Sequence, residues 1–331
     1  MIFLRILKNS RLAGSMAVAF LLIAIYVPSF IEAFKMHGEG LRSFTGMPFY
    51  QLIFGSIHKV PVLNHLVSLL IMMVLAVTLI RIGTRDQLLE QRSFMPAVFF
   101  IIFASALPEA RVVSPALVSS LFYLFCFTIL FEVHDKKPDT LSIFAASLIL
   151  VLGSMFCLRL IWFVPLIWVS LWTMRSATWR EILYPLVAYA LLALFLFTWY
   201  WGVLGNGSGF GELIKENMSF IGSFEPYHFS AYMLYGYLLL LVGIASIRMF
   251  NRFMSKKTVI QNIYQVMFYM FLAGLLYFFF IVRFEATALV YIAFPVAYVL
   301  SDLFHRRRSP WTHELAVWIL FGLVVYVQLM V

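Results

Sequence analysis

Cysteine is nearly absent: the chain has two, Cys126 and Cys157, each inside an apolar stretch. Two separated thiols build neither a disulfide framework nor a thiolate metal cluster, and both read as small buried apolar side chains. Charge is the second scarcity. Only 12% of the 331 residues are charged while 63% are hydrophobic, against roughly a quarter charged in soluble domains. With a mean hydropathy of +0.95, the chain reads as an all-α integral membrane protein.

Familiar catalytic signatures are missing too. No H-E-x-x-H, G-x-S-x-G, dinucleotide fingerprint or C-x-x-C occurs. The glycine-rich run at 205–211 lacks the Gly-Lys-Ser/Thr ending of a phosphate loop and follows an apolar segment, so nucleotide binding is not expected. The seven histidines are scattered. The nearest two in sequence, His58 and His65, have Pro61 between them, and no metal site or cofactor is expected. Charge is also scarce in helix centres, which argues against an ion pump with an intramembrane proton relay.

What is present is a series of apolar runs. Against the roughly 20 residues needed to cross a bilayer, about eleven candidates stand near 12–33, 60–80, 94–108, 114–131, 141–157, 160–175, 182–204, 229–248, 262–282, 286–303 and 314–331. Several are short, as a tilted helix or thinned bilayer tolerates, and only Arg159 breaks the apolar run over 141–175. No soluble domain of useful size fits between them, so residues 1–331 form one transmembrane domain. If the N-terminus is cytoplasmic, seventeen of the 24 Lys and Arg residues fall in alternate loops on that side. The positive-inside rule then places the N-terminus in the cytoplasm and the C-terminus outside. The net charge of +9 is thus spread over six loops as topology signals and contacts to anionic lipid, not gathered for nucleic acid. The first apolar run is too long for a signal-peptide core and reads as an uncleaved helix.

The outer side then holds two sizeable loops, 34–59 and 205–228, and three short turns. Each turn keeps one arginine, Arg111, Arg159 and Arg283, against the topology rule. A guanidinium is a planar fork of donors suited to phosphate oxygens. These three therefore read either as an anion site, such as the phosphate of a lipid carrier, or as partners of Glu109 and Glu285 that snorkel to lipid headgroups. Outer acids are all Glu. Glu32 ends the first apolar run, with Lys35, His37 and Glu39 following; it serves either as a general base or as a helix-end partner of Lys35. Aromatic residues between Pro48 and Pro61 suggest a short piece lying in the interface plane. Glu212 and His228 belong to the polar second loop, which is expected either to be merely flexible or to close over a substrate as a lid.

The run from Val60 to Phe125, with Arg92–Ala97, Pro108–Arg111 and Ser114–Pro115 as its punctuation, resembles a Bacteroidota family of multispanning inner-membrane proteins, a domain of unknown function, some members of which carry an oxygenase label. More distantly, the layout is similar to GT-C glycosyltransferases and to O-antigen polymerase-type and ligase enzymes that use polyprenyl-phosphate-linked sugars. That resemblance implies an acid in the first outer loop as base, matched by Glu32 or Glu39, and a phosphate grip matched by Arg111, Arg159 and Arg283. His37, Glu109, Glu285, Glu212 and His228 would support them. The chain departs from the pattern in having no Asp-x-Asp or Glu-x-Asp pair in that loop, no outer Asp and no soluble outer domain. The expectation is an inner-membrane glycosyltransferase at the periplasmic face. The alternative is a non-catalytic membrane subunit or lipid-carrier transporter, with membrane lipids, a polyprenyl-phosphate carrier and other membrane proteins as partners.

Overall fold

A computed structural model describes residues 11–35, 46–86, 88, 93–132, 140–174, 178–203, 207–218, 228–251, 254, 256–305 and 310–330, and among them every regular element is helical. In chain order these are α1 (Arg11–Lys35), α2 (Pro48–Phe54), α3 (Pro61–Arg85), α4 (Met95–Ser105), α5 (Pro115–Glu132), α6 (Thr140–Ser154), α7 (Val164–Met174), α8 (Trp179–Thr198), α9 (Gly207–Met218), α10 (Phe229–Phe250), α11 (Thr258–Leu276), α12 (Leu289–His305) and α13 (Pro310–Met330). Short 3-10 turns at Ile57–Lys59, Pro108–Arg111, Leu158–Phe163 and Ala286–Ala288 join several of them. Seven of the described helices are long and apolar enough to cross a membrane, and the apolar helices Met95–Ser105, Leu141–Ser154, Leu158–Met174 and Glu314–Met330 are shorter. The chain is a multi-pass α-helical membrane protein.

Helices dominate because in lipid each backbone N–H and C=O must be satisfied within its own segment. Proline opens α2, α3 and α4 within the first two positions, where its missing N–H costs nothing. The break expected near Arg159 is real: α6 stops at Ser154 and the chain turns through Leu158–Phe163 before α7.

The bundle is organised around a central pair. All eleven residues of α4 are buried, and α12 is buried over most of its length. The two pack on each other, and α12 also meets α5, α10 and α11. A helix apolar on every side belongs in the middle. The outermost helices instead turn large apolar side chains outward, among them Phe20 and Phe34 on α1, Leu194 on α8 and Leu240 on α10, as a lipid-facing surface requires. Since lipid is as apolar as leucine, small residues fix the close contacts. A Cβ on Gly153 of α6 would stand 2.7 Å from Cβ of Phe122 on α5, and one on Gly274 of α11 would stand 2.9 Å from Cγ1 of Ile292 on α12.

One consequence positions the site. With 11 residues, α4 is about 16 Å long, and it ends inside the protein at Ser105, whose side chain is buried. Its last carbonyls need donors there.

Candidate functional site

Those donors come from Arg111. The turn Pro108–Arg111 folds back so that Arg111 Nε donates to Ser105 O at 2.9 Å and Nη2 donates to Ala106 O at 2.7 Å. Nη1 donates to Ser29 Oγ on α1 at 3.1 Å. The side chain is 1% exposed. Burial pushes its pKa down to about 10, opposed by the fields of Tyr26, Glu32 and Tyr235, so it is a cation at neutral pH. It rests on the negative end of α4 and caps it. Its hydrogen bonds thus go to neutral oxygens, neither to Glu109 nor to Glu285.

Around this cation, α1 and α3 each contribute a polar stripe. On α1, Tyr26, Ser29 and Glu32 recur every three residues; on α3, Ser68 stands four residues after Asn64 and three after His65. Such spacing puts each set on one helix face, and the two helices pack together. Tyr26 Oη lies 3.0 Å from Ser68 Oγ. His65 Nδ1 lies 3.1 Å from the Arg111 carbonyl, and its ring meets Phe30 edge-on with centroids 6.0 Å apart. Glu32, exposed at the end of α1, is near enough to act electrostatically on both Arg111 and His65.

A second network adjoins the first through Val113. The Tyr50 hydroxyl donates to Val113 O at 2.9 Å, so it accepts from Nε2–H of His58 at 2.8 Å. That leaves Nδ1 of His58 to accept from Asn64 Nδ2 at 2.9 Å, while Asn64 Oδ1 accepts from Val113 N at 2.8 Å. The ring closes on one residue's backbone, and each hydrogen has an assigned owner. It pins the aromatic-rich α2 against the start of α5. Burial pushes the His58 imidazole below its ordinary pKa, in keeping with the neutral tautomer this ring requires.

The remaining turns gather beside these groups. Pro108–Arg111 packs on Ala286–Ala288, and Arg159 and Glu285 both act electrostatically on Cys157, whose buried thiol is pushed above its ordinary pKa. Their fields also reach Tyr277. Ser119 Oγ lies 2.6 Å from Tyr291 Oη, and Tyr123, Phe163, Tyr277 and Tyr291 pack edge-on or tilted against one another with ring centroids 4.9 to 5.5 Å apart. The Tyr123 hydroxyl is buried and makes no hydrogen bond among the described residues. Arg283 is exposed. Both it and Phe284 have positive φ, 47° and 71°, which for bulky side chains costs about 1–3 kcal/mol each and persists where packing dictates it. The π-helical turn Tyr277–Ile281 leads into them, Phe284 N–H donates to Phe278 O at 3.0 Å, and the Phe284 ring packs edge-on against Phe278 and Phe279. Thr287 hydrogen-bonds Glu285 at 2.7 Å.

The structure therefore puts Glu32 within electrostatic reach of Arg111, and Arg159 and Glu285 within reach of the same Cys157 and Tyr277, at one end of the bundle, hereafter the turn end. Glu109 is exposed on the Pro108–Arg111 turn. His228 is the exposed N-cap of α10, with Nδ1 2.9 Å from Ser230 Oγ. Glu212 is exposed on α9, a helix that packs on the Leu158–Phe163 turn and sets Ile214 and Met218 against a small apolar cluster including Leu158 and Val151. His37 and Glu39 lie outside the described residues. Among the described residues no group of three or more His, Cys, Asp or Glu could hold a metal ion. His65, Tyr26, Ser29 and Asn64 were not singled out as site residues from the sequence, although polar spacing inside apolar helices was the available signal. Compared with known protein families, curated proteins and solved structures, the chain matches none.

Proposed function

We propose that the chain spans the inner membrane with eleven helices, its N-terminus cytoplasmic and its C-terminus periplasmic, and that its turn end handles a lipid-borne phosphate in the manner of GT-C glycosyltransferases. One observation supports this reading above the others: among the described residues a buried arginine is hydrogen-bonded only by neutral oxygens, and the carboxylate whose field reaches it, Glu32, is exposed rather than paired with it. A cation without a bonded counter-ion in a low-dielectric surrounding draws anions to the nearby surface. In this reading Arg159 and Arg283 grip the carrier phosphate, Arg111 supplies field from behind, and Glu32 orients or deprotonates the acceptor hydroxyl. Glu285 sets the position of its arginine neighbours.

The inward turn of Arg111 favours a second reading, a non-catalytic membrane subunit or lipid-carrier transporter, because one of the three expected phosphate ligands is committed to the helix end. The two separate by mutation. Protein in lipid nanodiscs is titrated with polyprenyl phosphate and assayed for transfer from a polyprenyl-phosphate-linked sugar. The enzyme reading expects Arg283→Ala to weaken binding at least about tenfold, or 1.4 kcal/mol, and Glu32→Gln to abolish transfer while binding persists. Function intact in Glu32→Gln but lost in Arg283→Ala would favour binding or transport. No binding to wild-type protein would sink both.

A further inference from the structure

We propose that His65 is a proton-accepting side chain at the turn end, its Nδ1–H fixed on the Arg111 carbonyl and its Nε2 offered to a hydroxyl of an incoming substrate. This rests on reading the turn end as a site for a lipid-borne phosphate and a hydroxyl acceptor. A carbonyl can only accept, so the hydrogen between His65 and Arg111 belongs to Nδ1. In the neutral ring the lone pair is then on Nε2. That nitrogen makes no hydrogen bond among the described residues, and the residue keeps an exposure of 5%.

His58 is the internal contrast. Seven residues away and equally buried at 5%, it has Nε2–H committed to Tyr50 and its Nδ1 lone pair to Asn64. One imidazole is locked at both nitrogens; the other is anchored at one and open at the other. A ring held by one nitrogen so that the second can act is the arrangement that general-base histidines use. Burial and the field of Arg111 oppose charging of the ring, while its hydrogen bond to the Arg111 carbonyl and the field of Glu32 favour the imidazolium formed.

In the transfer step the acceptor oxygen bonds to the anomeric carbon as that carbon's bond to the carrier phosphate oxygen breaks. The electron pair leaves on the phosphate, the hydroxyl proton moves to Nε2, and the imidazolium returns it to water. His65 thus takes the proton, and Glu32 is a positioning residue.

Diethyl pyrocarbonate acylates open, neutral imidazole nitrogens, and peptide mass spectrometry of wild-type protein in nanodiscs reads each histidine separately. His65 is expected to label at least about tenfold faster than His58, with exposed His228 as the reactive control. His65 labelling no faster than His58 while His228 reacts would overturn the proposal. A parallel arm adds polyprenyl phosphate: slowing of His65 labelling supports both the open imidazole and the lipid-phosphate reading. Fast labelling that the lipid leaves unchanged upholds the imidazole and counts against that reading.

Discussion

The two ends of the bundle treat charge in opposite ways. At the end carrying the basic loops, cations meet carboxylates: Arg85 pairs with Asp86 at 2.7 Å and closely with Glu132. Lys256 pairs with Asp302 at 3.0 Å while lying 3.9 Å from the Tyr264 ring centroid. Glu181, also buried there, completes a capping box with Thr178. At the turn end the Arg111 cation meets two carbonyls and a serine, beside a neutral His58 that meets a tyrosine and an asparagine. Paired ions cancel each other's field, so the first end reads as anchoring. A cation held by dipoles, as Arg111 is, keeps more of its field, which is the basis for the proposed anion site at the second end. Net charge is a poor guide to which end acts; the partner of each charge is a better one.

The sharpest break in that contrast is Arg111→Leu. It leaves the last carbonyls of α4 and Ser29 without their donor inside the protein, and is expected to cost about 3–5 kcal/mol, since each buried acceptor left unsatisfied costs about 1–3 kcal/mol. Thermal unfolding in detergent measures it, and Arg111→Lys should recover part of the loss. Gly153→Leu comes next, at about 1–3 kcal/mol, because its side chain would be driven into Phe122 at the crossing of α5 and α6. Lys256→Met probes the opposite end. With exposures of 11% and 14% for the two partners, water screens the pair in part, and about 1–2 kcal/mol is expected. A double-mutant cycle with Asp302→Asn isolates the coupling. If Lys256→Met costs as much as Arg111→Leu, the distinction between the ends loses its energetic basis.

Smaller effects test the Tyr50–His58–Asn64 ring. Tyr50→Phe removes a donor from Val113 O and an acceptor from His58, for about 1–2 kcal/mol. Acidity should act on the same ring. His58 titrates below its ordinary 6.5 because burial disfavours the imidazolium, so between the folded and unfolded values the unfolded chain binds more protons. Stability from this group is therefore complete above pH 6.5 and declines as the pH falls through the folded value. Denaturation midpoints between pH 8 and 5 check the sign, and His58→Gln should flatten the profile.

Much of the fold was legible. Apolar length alone located the helices, since the bilayer imposes that length, and the observed apolar helices fall on the stretches read from composition. Even the isolated Arg159 marked a true break. Part of the candidate site could be named from the sequence as well: Glu32 and the three turn arginines stood out because charge is rare there. Their partners were not. Ser29 and Arg111 are 82 residues apart, and Ser119 and Tyr291 are 172 apart; no local pattern couples such positions. His65 went unsingled because a histidine's role depends on which nitrogen is held, a property of the neighbour.

By itself, then, the sequence determined the solvent, the helical class and the helix positions, because apolar length and scarce charge are local quantities that the bilayer reads directly. Only the tertiary structure decided that α4 ends inside the bundle, that Arg111 caps it, and that His58 is locked while His65 is open. Those outcomes depend on which helices lie side by side, and hydrogen-bond ownership is settled only when donor and acceptor meet.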